Sequence, residues 1–399
     1  MKTELNQLTV ILKVSERCNI NCTYCYFFNS NDKTYKNHAA FILPETVNLV
    51  ANFLSKSIVE HDIKLLRIDF HGGEPLLLKP DYFSQICETF ISSLGDLVNL
   101  QFVIQTNAIL LNDNWLSILD KYKVNIGISI DGPAVIHDKY RVDHFNNGTY
   151  SRVRKGIDLI KKKIIKKEIK IGVGALAVIN PEYSGKDIYR HFVDDIGFNS
   201  MDFLLPDITH DQAKKMPNFS AESYGKYLVE VFDEWINDDN PEITIRAFTT
   251  ILNRLLKKQT YYHDFGGWYK DFLLLTISSD GDISPDDTIR SIDLNFMNLG
   301  LNVSHSKLQH LFDNSFFQTL QEAGSNIPTN CLKCQWQNNC RGGGLVQRYS
   351  QDNMFDNSSV FCSGLKLIFA RIQDELEKNS ILQKYPNGIL IKNKGLSYF

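Results

Sequence analysis

Apolar residues along the first two hundred positions follow two alternating rhythms. Short runs rich in β-branched residues, QLTVILKV (7–14), KLLRIDF (64–70), LQFVIQ (100–105), VNIGISI (124–130), IKIGVGALA (169–177) and SMDFLL (200–205), have the length and content of buried strands. Between them, in 44–57, 80–94, 112–121, 150–163 and 184–195, apolar residues return every three or four positions, as on one face of a helix. Pro44 opens the first of these, where a missing N–H costs nothing. Repeated strand-helix units with near-continuously apolar strands predict a parallel sheet covered on both faces. Six units fall short of a closed eight-stranded barrel, so the expected fold is an α/β, open, partial (β/α)6 barrel.

In such a sheet the strand-to-helix loops gather at the carboxyl ends of the strands, and chemistry belongs there. The unusual residues sit in those loops. Three cysteines follow the first run, His71-Gly72-Gly73-Glu74-Pro75 the second, Thr106-Asn107 the third and Asp131-Gly132-Pro133 the fourth, where an ordinary turn is an equal reading. Beyond about residue 240 the alternation stops. A helical stretch (245–258), the aromatic segment YYHDFGGWYKDF, a hairpin-like FLLLTISSDGDIS with Asp280-Gly281 as its turn signal, and a second cysteine group follow. The expected organisation is a barrel over 1–240, a helical and aromatic bridge over 241–275 and a cysteine-rich extension with a C-terminal helix over 276–399.

Composition narrows the function classes. A chain of 399 residues, 43% hydrophobic and 22% charged, suits a globular enzyme. A formal net charge of -3 and a pI near 6.4 give no reason to expect nucleic acid or an anionic membrane as the partner. The basic run Lys161, Lys162, Lys163, Lys166, Lys167 reads as a solvated helix face. The first 18 residues lack the uninterrupted apolar core of a signal peptide, and no stretch approaches the roughly 20 apolar residues of a membrane span. The expected location is the cytoplasm, where thiols stay reduced, so the eight cysteines read as metal ligands rather than disulfides.

Cys18, Cys22 and Cys25 place three thiols within one loop after the first strand. Structural zinc usually takes four ligands, and this loop offers three. Three thiolates on a four-iron cubane leave one iron open. An open iron can chelate the amino and carboxylate groups of S-adenosylmethionine (SAM), whose sulfonium then accepts an electron and breaks homolytically to a 5'-deoxyadenosyl radical.

CNINCTYCYF is similar to the CxxxCxxC signature of the radical SAM superfamily. The resemblance implies a SAM-binding 4Fe–4S cluster on Cys18, Cys22 and Cys25, a reducing partner such as flavodoxin or ferredoxin, and a set of SAM contacts. Tyr24 would lie near the adenine. His71 to Pro75 resembles the family's GGEP-type motif, in which Gly72, Gly73 and Glu74 would bind the methionyl amino group, the glycines allowing close backbone approach. Ser129, in GISIDGP, and Arg141, in HDKYRVD, would meet the methionyl carboxylate.

Cys331, Cys334, Cys340 and Cys362 supply four thiols, enough to close every iron of a second cubane, and zinc competes for the same four. Their spacing resembles the SPASM extension of radical SAM enzymes that modify peptides and proteins, which implies an auxiliary 4Fe–4S cluster. Two positions depart from the pattern that would hold a third cluster: Asp286 and Gly344 stand where cysteines are expected, and the remaining Cys87 reads as a buried helix residue. Two clusters are therefore expected. Asp287 occupies the place of an acid viewed as a general base in serine- or cysteine-oxidising relatives, a turn being its competing reading.

GGGLVQRYSQDNMFDNSSVFC and HDKYRVDHFNNGTYSRVRKGIDLI look like the SPASM enzymes that form three-residue cyclophanes, the XyeB, GrrM and FxsB group. That resemblance implies a precursor peptide in which the β-carbon of one residue is joined to an aromatic ring carbon two positions earlier. The alternative is a SPASM maturase that forms a thioether or oxidises a protein Ser or Cys to formylglycine. Tyr261, Tyr262, Phe265, Trp268 and Tyr269 would line a peptide channel or pack as an interdomain core.

Overall fold

The computed structural model describes residues 5–30, 32–256, 271–292 and 296–378. Most of the aromatic segment, including its five expected channel residues, lies outside them. Ten strands follow along the described chain: β1 (Gln7–Ser15), β2 (Leu65–Gly72), β3 (Asn99–Thr106), β4 (Val124–Ser129), β5 (Val173–Val178), β6 (Ser200–Leu204), β7 (Thr244–Ile245), β8 (Phe272–Ile277), β9 (Asp282–Ser284) and β10 (Leu301–Asn302). The first six are the six expected from the apolar runs. The chain divides into two compact units, one of Met1–Ser129, Ala134–Gly172 and Tyr269–Thr319, the other of Ile130–Pro133, Val173–Trp268 and Leu320–Phe399.

In the first unit the order is β10-β9-β8-β1-β2-β3-β4, with β8, β1, β2, β3 and β4 parallel. β9 and β10 close the edge as antiparallel strands. Helices Pro44–His61, Pro80–Leu94 and Asp113–Lys121 make the crossovers between β1, β2, β3 and β4, and the α/β class with a parallel sheet is the expected one. β1 is buried on both faces, as a central parallel strand must be: Leu8, Val10, Leu12 and Val14 are fully enclosed, and so is Lys13, at 1% exposure. The one charge in this strand therefore needs an internal partner.

Expectation and structure part at three places. β5 begins at Val173 rather than near 169, because the Lys170 and Gly172 N–H groups donate to the Asp120 (2.6 Å) and Asn125 (2.8 Å) side chains instead of a ladder. The segment 184–195 is helical over Gly185–Arg190 and then widens into a π-helical turn, His191–Ile196, ended by Gly197 in the left-handed region. The hairpin FLLLTISSDGDIS forms, with Gly281 at φ +88, but its first strand also pairs with β1 from Gln7↔Phe272 to Leu12↔Ile277. Residues beyond 270 thus return to the first sheet, so compactness does not follow the boundaries expected near 240 and 275.

The second unit has β5-β6-β7 in parallel. Its long helices Ala221–Asp238 and Cys362–Glu377 touch backbone to backbone: a Cβ on Gly225 would come within 2.4 Å of the Gly364 Cα. No described helix is long and apolar enough to cross a membrane.

The β8–β9 hairpin is fastened to the chain after β1 by charge. Buried Glu16 accepts from the Ser279 N–H (3.0 Å) and from His38 Nδ1 (2.9 Å), and His38 Nε2 lies 3.6 Å from the Asp282 carboxylate, an ion-pair rather than hydrogen-bond distance. Asp282 and Glu16 together push the His38 pKa up from 6.5 to about 10. A folded-state pKa above the unfolded one means stabilisation that is complete below about pH 6.5 and lost as pH rises through about 10. The difference in unfolding free energy between wild type and His38→Gln, followed by denaturant titration, should be largest near pH 6 and vanish above about pH 10. A difference that stays constant over that range would contradict the ion pairs.

Candidate active site and metal centres

The loop carrying Cys18, Cys22 and Cys25 leaves the end of β1 and is pinned on two sides. Asn21 and Thr23 N–H groups donate to the Val142 (2.7 Å) and Tyr140 (2.9 Å) carbonyls, and the His144 ring lies 2.9 Å from the Cys18 carbonyl. Within the loop, Asn29 closes the turn through its side chain on Cys22 O (2.7 Å) and its N–H on Cys25 O (2.8 Å). On the other side the β1–β2 pairing continues past the strands: Gly73 N–H donates to Ser15 O (2.7 Å) and Glu74 N–H to Arg17 O (2.8 Å). A Cβ on Gly72 would sit 1.9 Å from Ser15 O, and one on Gly73 2.2 Å from Arg17 O. The close approach that these glycines permit is therefore made by this chain's own backbone, next to Cys18.

Glu74 is 1% exposed. Its Oε1 accepts from Thr106 Oγ1 (2.6 Å) and the Leu76 N–H (3.0 Å), and its Oε2 from the Asn107 N–H (2.8 Å). A carboxylate offers about four acceptor positions, so one remains. Burial raises the Glu74 pKa against these bonds and against Arg141, which marks a carboxylate with room for a cationic partner. Arg141 is buried and donates through Nη1 to the Tyr24 hydroxyl (2.7 Å), joining two expected SAM contacts. Ser129 Oγ accepts from Gln105 Nε2 (2.7 Å), which leaves its own O–H able to donate.

Asp287 meets β1 through Lys13. Lys13 Nζ donates to its Oδ2, Tyr26 OH donates to the same oxygen (2.8 Å), and Arg290 Nε is 3.5 Å from Oδ1. Lys13 Nζ also lies 3.0 Å from His71 Nδ1, and Arg290 is ion-paired with Asp32. Burial alone would raise the Asp287 carboxyl, but Lys13 and then Arg290 outweigh it and hold the group well below the usual carboxylate range. Burial and then Lys13 lower His71 to about 3, so its ring is neutral. Two cations thus compensate the burial of Asp287. Asp286 does act as a turn residue, capping Asp287–Ser291 by accepting from the Thr288 N–H (3.0 Å).

Cys331, Cys334, Cys340 and Cys362 line one cavity in the second unit, with Trp336, Gly342, Ser359, Leu365, Lys366 and Phe369. Cys362 opens the helix Cys362–Glu377. All eight cysteines are free thiols, and Cys87 is enclosed within the helix Pro80–Leu94. Gly344 precedes the short helix Leu345–Arg348.

Both donor sets fit iron. Three thiols in one loop suit a cubane with an open iron, and four around one cavity suit a closed one. Burial and then the Glu74 carboxylate push the Cys18 thiol up to about 12, and burial pushes Cys340 to about 12, so each would become a thiolate only where a metal displaces its proton to solvent. Among the described residues no three His, Cys, Asp or Glu side chains converge on a single point. A cubane does not ask for that, since each of its cysteines binds a different iron.

Residues 12–191 match the model of the Radical SAM superfamily. The chain is 25% identical over 378 residues to a cysteine-type anaerobic sulfatase-maturating enzyme of Clostridium novyi, covering 92% of this chain and 96% of that one. It is 31% identical over 227 residues to an uncharacterized protein of Methanocaldococcus jannaschii, covering 55% of this chain and 69% of the other. Its fold is similar to that of the solved anSMEcpe structure with bound AdoMet and the Cp18Cys peptide, at TM-score 0.79 and 22% identity, over 94% of this chain and 99% of that one. Residues 12–191 thus carry a radical SAM domain. The chain is a radical SAM enzyme, and this family works with a 4Fe–4S cluster and SAM.

Sequence reading placed Asn107 at a strand end without a role and passed over Lys13 and Tyr26. Asn107 holds the cysteine loop through Asn19 Oδ1 (2.7 Å) while its N–H binds Glu74. Lys13 carried a signal, a lone charge inside an apolar strand. Lys13→Met would leave the buried Asp287 carboxylate with Tyr26 and the more distant Arg290, and should cost roughly 3–5 kcal/mol of unfolding free energy. The double variant K13M/D287N should recover part of that loss in denaturant unfolding. Equal losses in both would show that the pair is not its source.

Proposed function

We propose that the chain is a maturase that oxidises a side-chain β-carbon in a peptide or protein by two electrons. The observation that carries this reading is the backbone coupling of the three-cysteine loop to Glu74, in a chain similar over nearly its whole length to a protein-modifying enzyme. In this reading Cys18, Cys22 and Cys25 hold a 4Fe–4S cluster with one open iron, and cluster and SAM together supply a 5'-deoxyadenosyl radical that removes a hydrogen atom from the substrate. The free acceptor position of Glu74 takes the methionyl ammonium, with the Gly72-Gly73 backbone beside it. Ser129 and Arg141 face the methionyl carboxylate, and Tyr24, steadied by Arg141, borders the adenine. A flavodoxin or ferredoxin serves as reductant. Cys331, Cys334, Cys340 and Cys362 hold a second, fully ligated 4Fe–4S cluster. The barrel, the bridge and the cysteine-rich extension are read as functional regions of the sequence, whose boundaries differ from those of the two compact units.

After hydrogen abstraction the substrate must lose one electron and one proton. Two outcomes share that step. Similarity to the sulfatase-maturating enzyme supports oxidation of Ser or Cys to formylglycine. The second outcome, a carbon–carbon cyclophane between the β-carbon and an aromatic ring two residues earlier, is favoured by the state of Asp287, since a carboxylate held ionised by Lys13 and Arg290 is a weak base.

The test uses the anaerobically reconstituted full chain with SAM, dithionite and a panel of peptides that carry Ser, Cys or an aromatic residue two positions before an aliphatic or polar one. Mass spectrometry should find loss of two hydrogens, accompanied by exchange of sulfur for oxygen where a Cys becomes formylglycine. A hydrazide-reactive carbonyl identifies Ser or Cys oxidation, and an unreactive product with a ring-to-β-carbon bond by NMR identifies the cyclophane. Cys22→Ala should lose SAM cleavage together with visible iron–sulfur absorption, whereas Cys334→Ala should keep some SAM cleavage without peptide product. SAM cleavage at the wild-type rate in Cys22→Ala would overturn the proposal.

A further inference from the structure

Buried Glu74 is tied through its N–H to Arg17, next to Cys18, whereas three cations stand around the second cysteine group, Lys366, Arg348 and Arg254. Each has a definite place. Lys366 lines the cavity with the four cysteines and lies one turn after Cys362 on the same helix face. Arg348 is 1% exposed, held by the Phe355 (2.8 and 3.0 Å) and Ala323 (2.8 Å) carbonyls, and its stem runs against Gly342 in the cavity wall. Arg254 donates to the carbonyl of Asn339, the residue before Cys340 (3.1 Å). The helix itself directs its positive N-terminal end at Cys362.

Four thiolates give a cubane a net negative charge, and every added electron makes it more negative. Fixed cations and a helix N-terminus therefore favour the reduced state, and net charge is among the terms that set cluster potentials.

We infer that Lys366, Arg348, Arg254 and the N-terminus of the helix Cys362–Glu377 are potential-setting elements, which make the four-cysteine centre easier to reduce than its ligand set alone would. The inference rests on the second cluster proposed above. It assigns the region around Cys362 a role beyond closing a cluster, that of readying the centre to accept an electron.

Lys366 is the residue to change, because its side chain is exposed and its loss should leave the fold intact. The full chain is reconstituted anaerobically, iron is counted, and both clusters are titrated potentiometrically with EPR detection. Lys366→Met should make reduction of the second cluster about tenfold less favourable, about 59 mV lower for one electron. Lys366→Glu should lower it further, Lys366→Arg should leave it near wild type, and the shifts should shrink at high salt. Arg348→Lys, which keeps the buried charge, should hold the potential. Unchanged potentials in both Lys366→Met and Lys366→Glu, with roughly eight irons per chain, would overturn the inference and leave the second cluster standing. Roughly four irons, with zinc or free thiols at Cys331–Cys362, would remove the cluster reading and the inference together.

Discussion

Two backbone hydrogen bonds carry the first site, Gly73 N–H to Ser15 O and Glu74 N–H to Arg17 O. They extend the β1–β2 pairing past the point where both strands end, and so deliver the cysteine loop and Glu74 to one place. The register leaves no freedom. The carbonyls of Ser15 and Arg17 come so near that a methyl group at Gly72 or Gly73 cannot be accommodated. Thr106 and Asn107, at the end of β3, then fix the Glu74 carboxylate, and Asn107 returns to the loop through Asn19. Three strand ends are thus tied into one cradle, and a parallel sheet is what brings consecutive strand ends to the same side.

Charge is handled differently at the two buried acids of this unit. Glu74 is buried with hydrogen-bond donors and Arg141, leaving a carboxylate with capacity for one more partner. Asp287 is buried with Lys13 and Arg290 so near that its charge is already compensated. Two acids in one unit, both almost fully enclosed, are shifted in opposite directions because burial wins at one and ion pairing at the other. The ionisable partners were chosen by position: Lys13 comes from near the carboxyl end of β1, and Asp287 and Arg290 from the short helix after the hairpin that lies along it.

Much of this was legible in the sequence. The six apolar runs are strands because each is long enough to cross a buried sheet, and the cysteine spacing and the Gly-Gly-Glu segment point to the first site without coordinates. The pairing of Lys13 with Asp287 was not legible, since it joins residues 274 apart through a strand whose place in the sheet no periodicity encodes. FLLLTI was readable as a strand, but its partner β1 was not, because an apolar run says that a strand is buried and nothing about its neighbour. The glycines were recognised as sites of close approach, while the approaching group was taken to be a ligand rather than the backbone of Ser15 and Arg17.

The state of Asp287 bears on the proposed chemistry through acid strength. Removing a proton from a serine hydroxyl, even one beside a carbon radical, asks for an acceptor of appreciable basicity. A carboxylate whose pKa is held well below the usual range by Lys13 and Arg290 is poorly suited to that while the pair is intact. A ring carbon that has gained a substituent and lost an electron is a far stronger acid, because losing its proton restores aromaticity, and a weak base suffices. Similarity to a sulfatase-maturating enzyme and the ionisation of Asp287 therefore pull toward different products of one oxidation. The two converge if an incoming substrate separates Lys13 from Asp287, since the carboxylate would then recover the basicity that burial alone gives it.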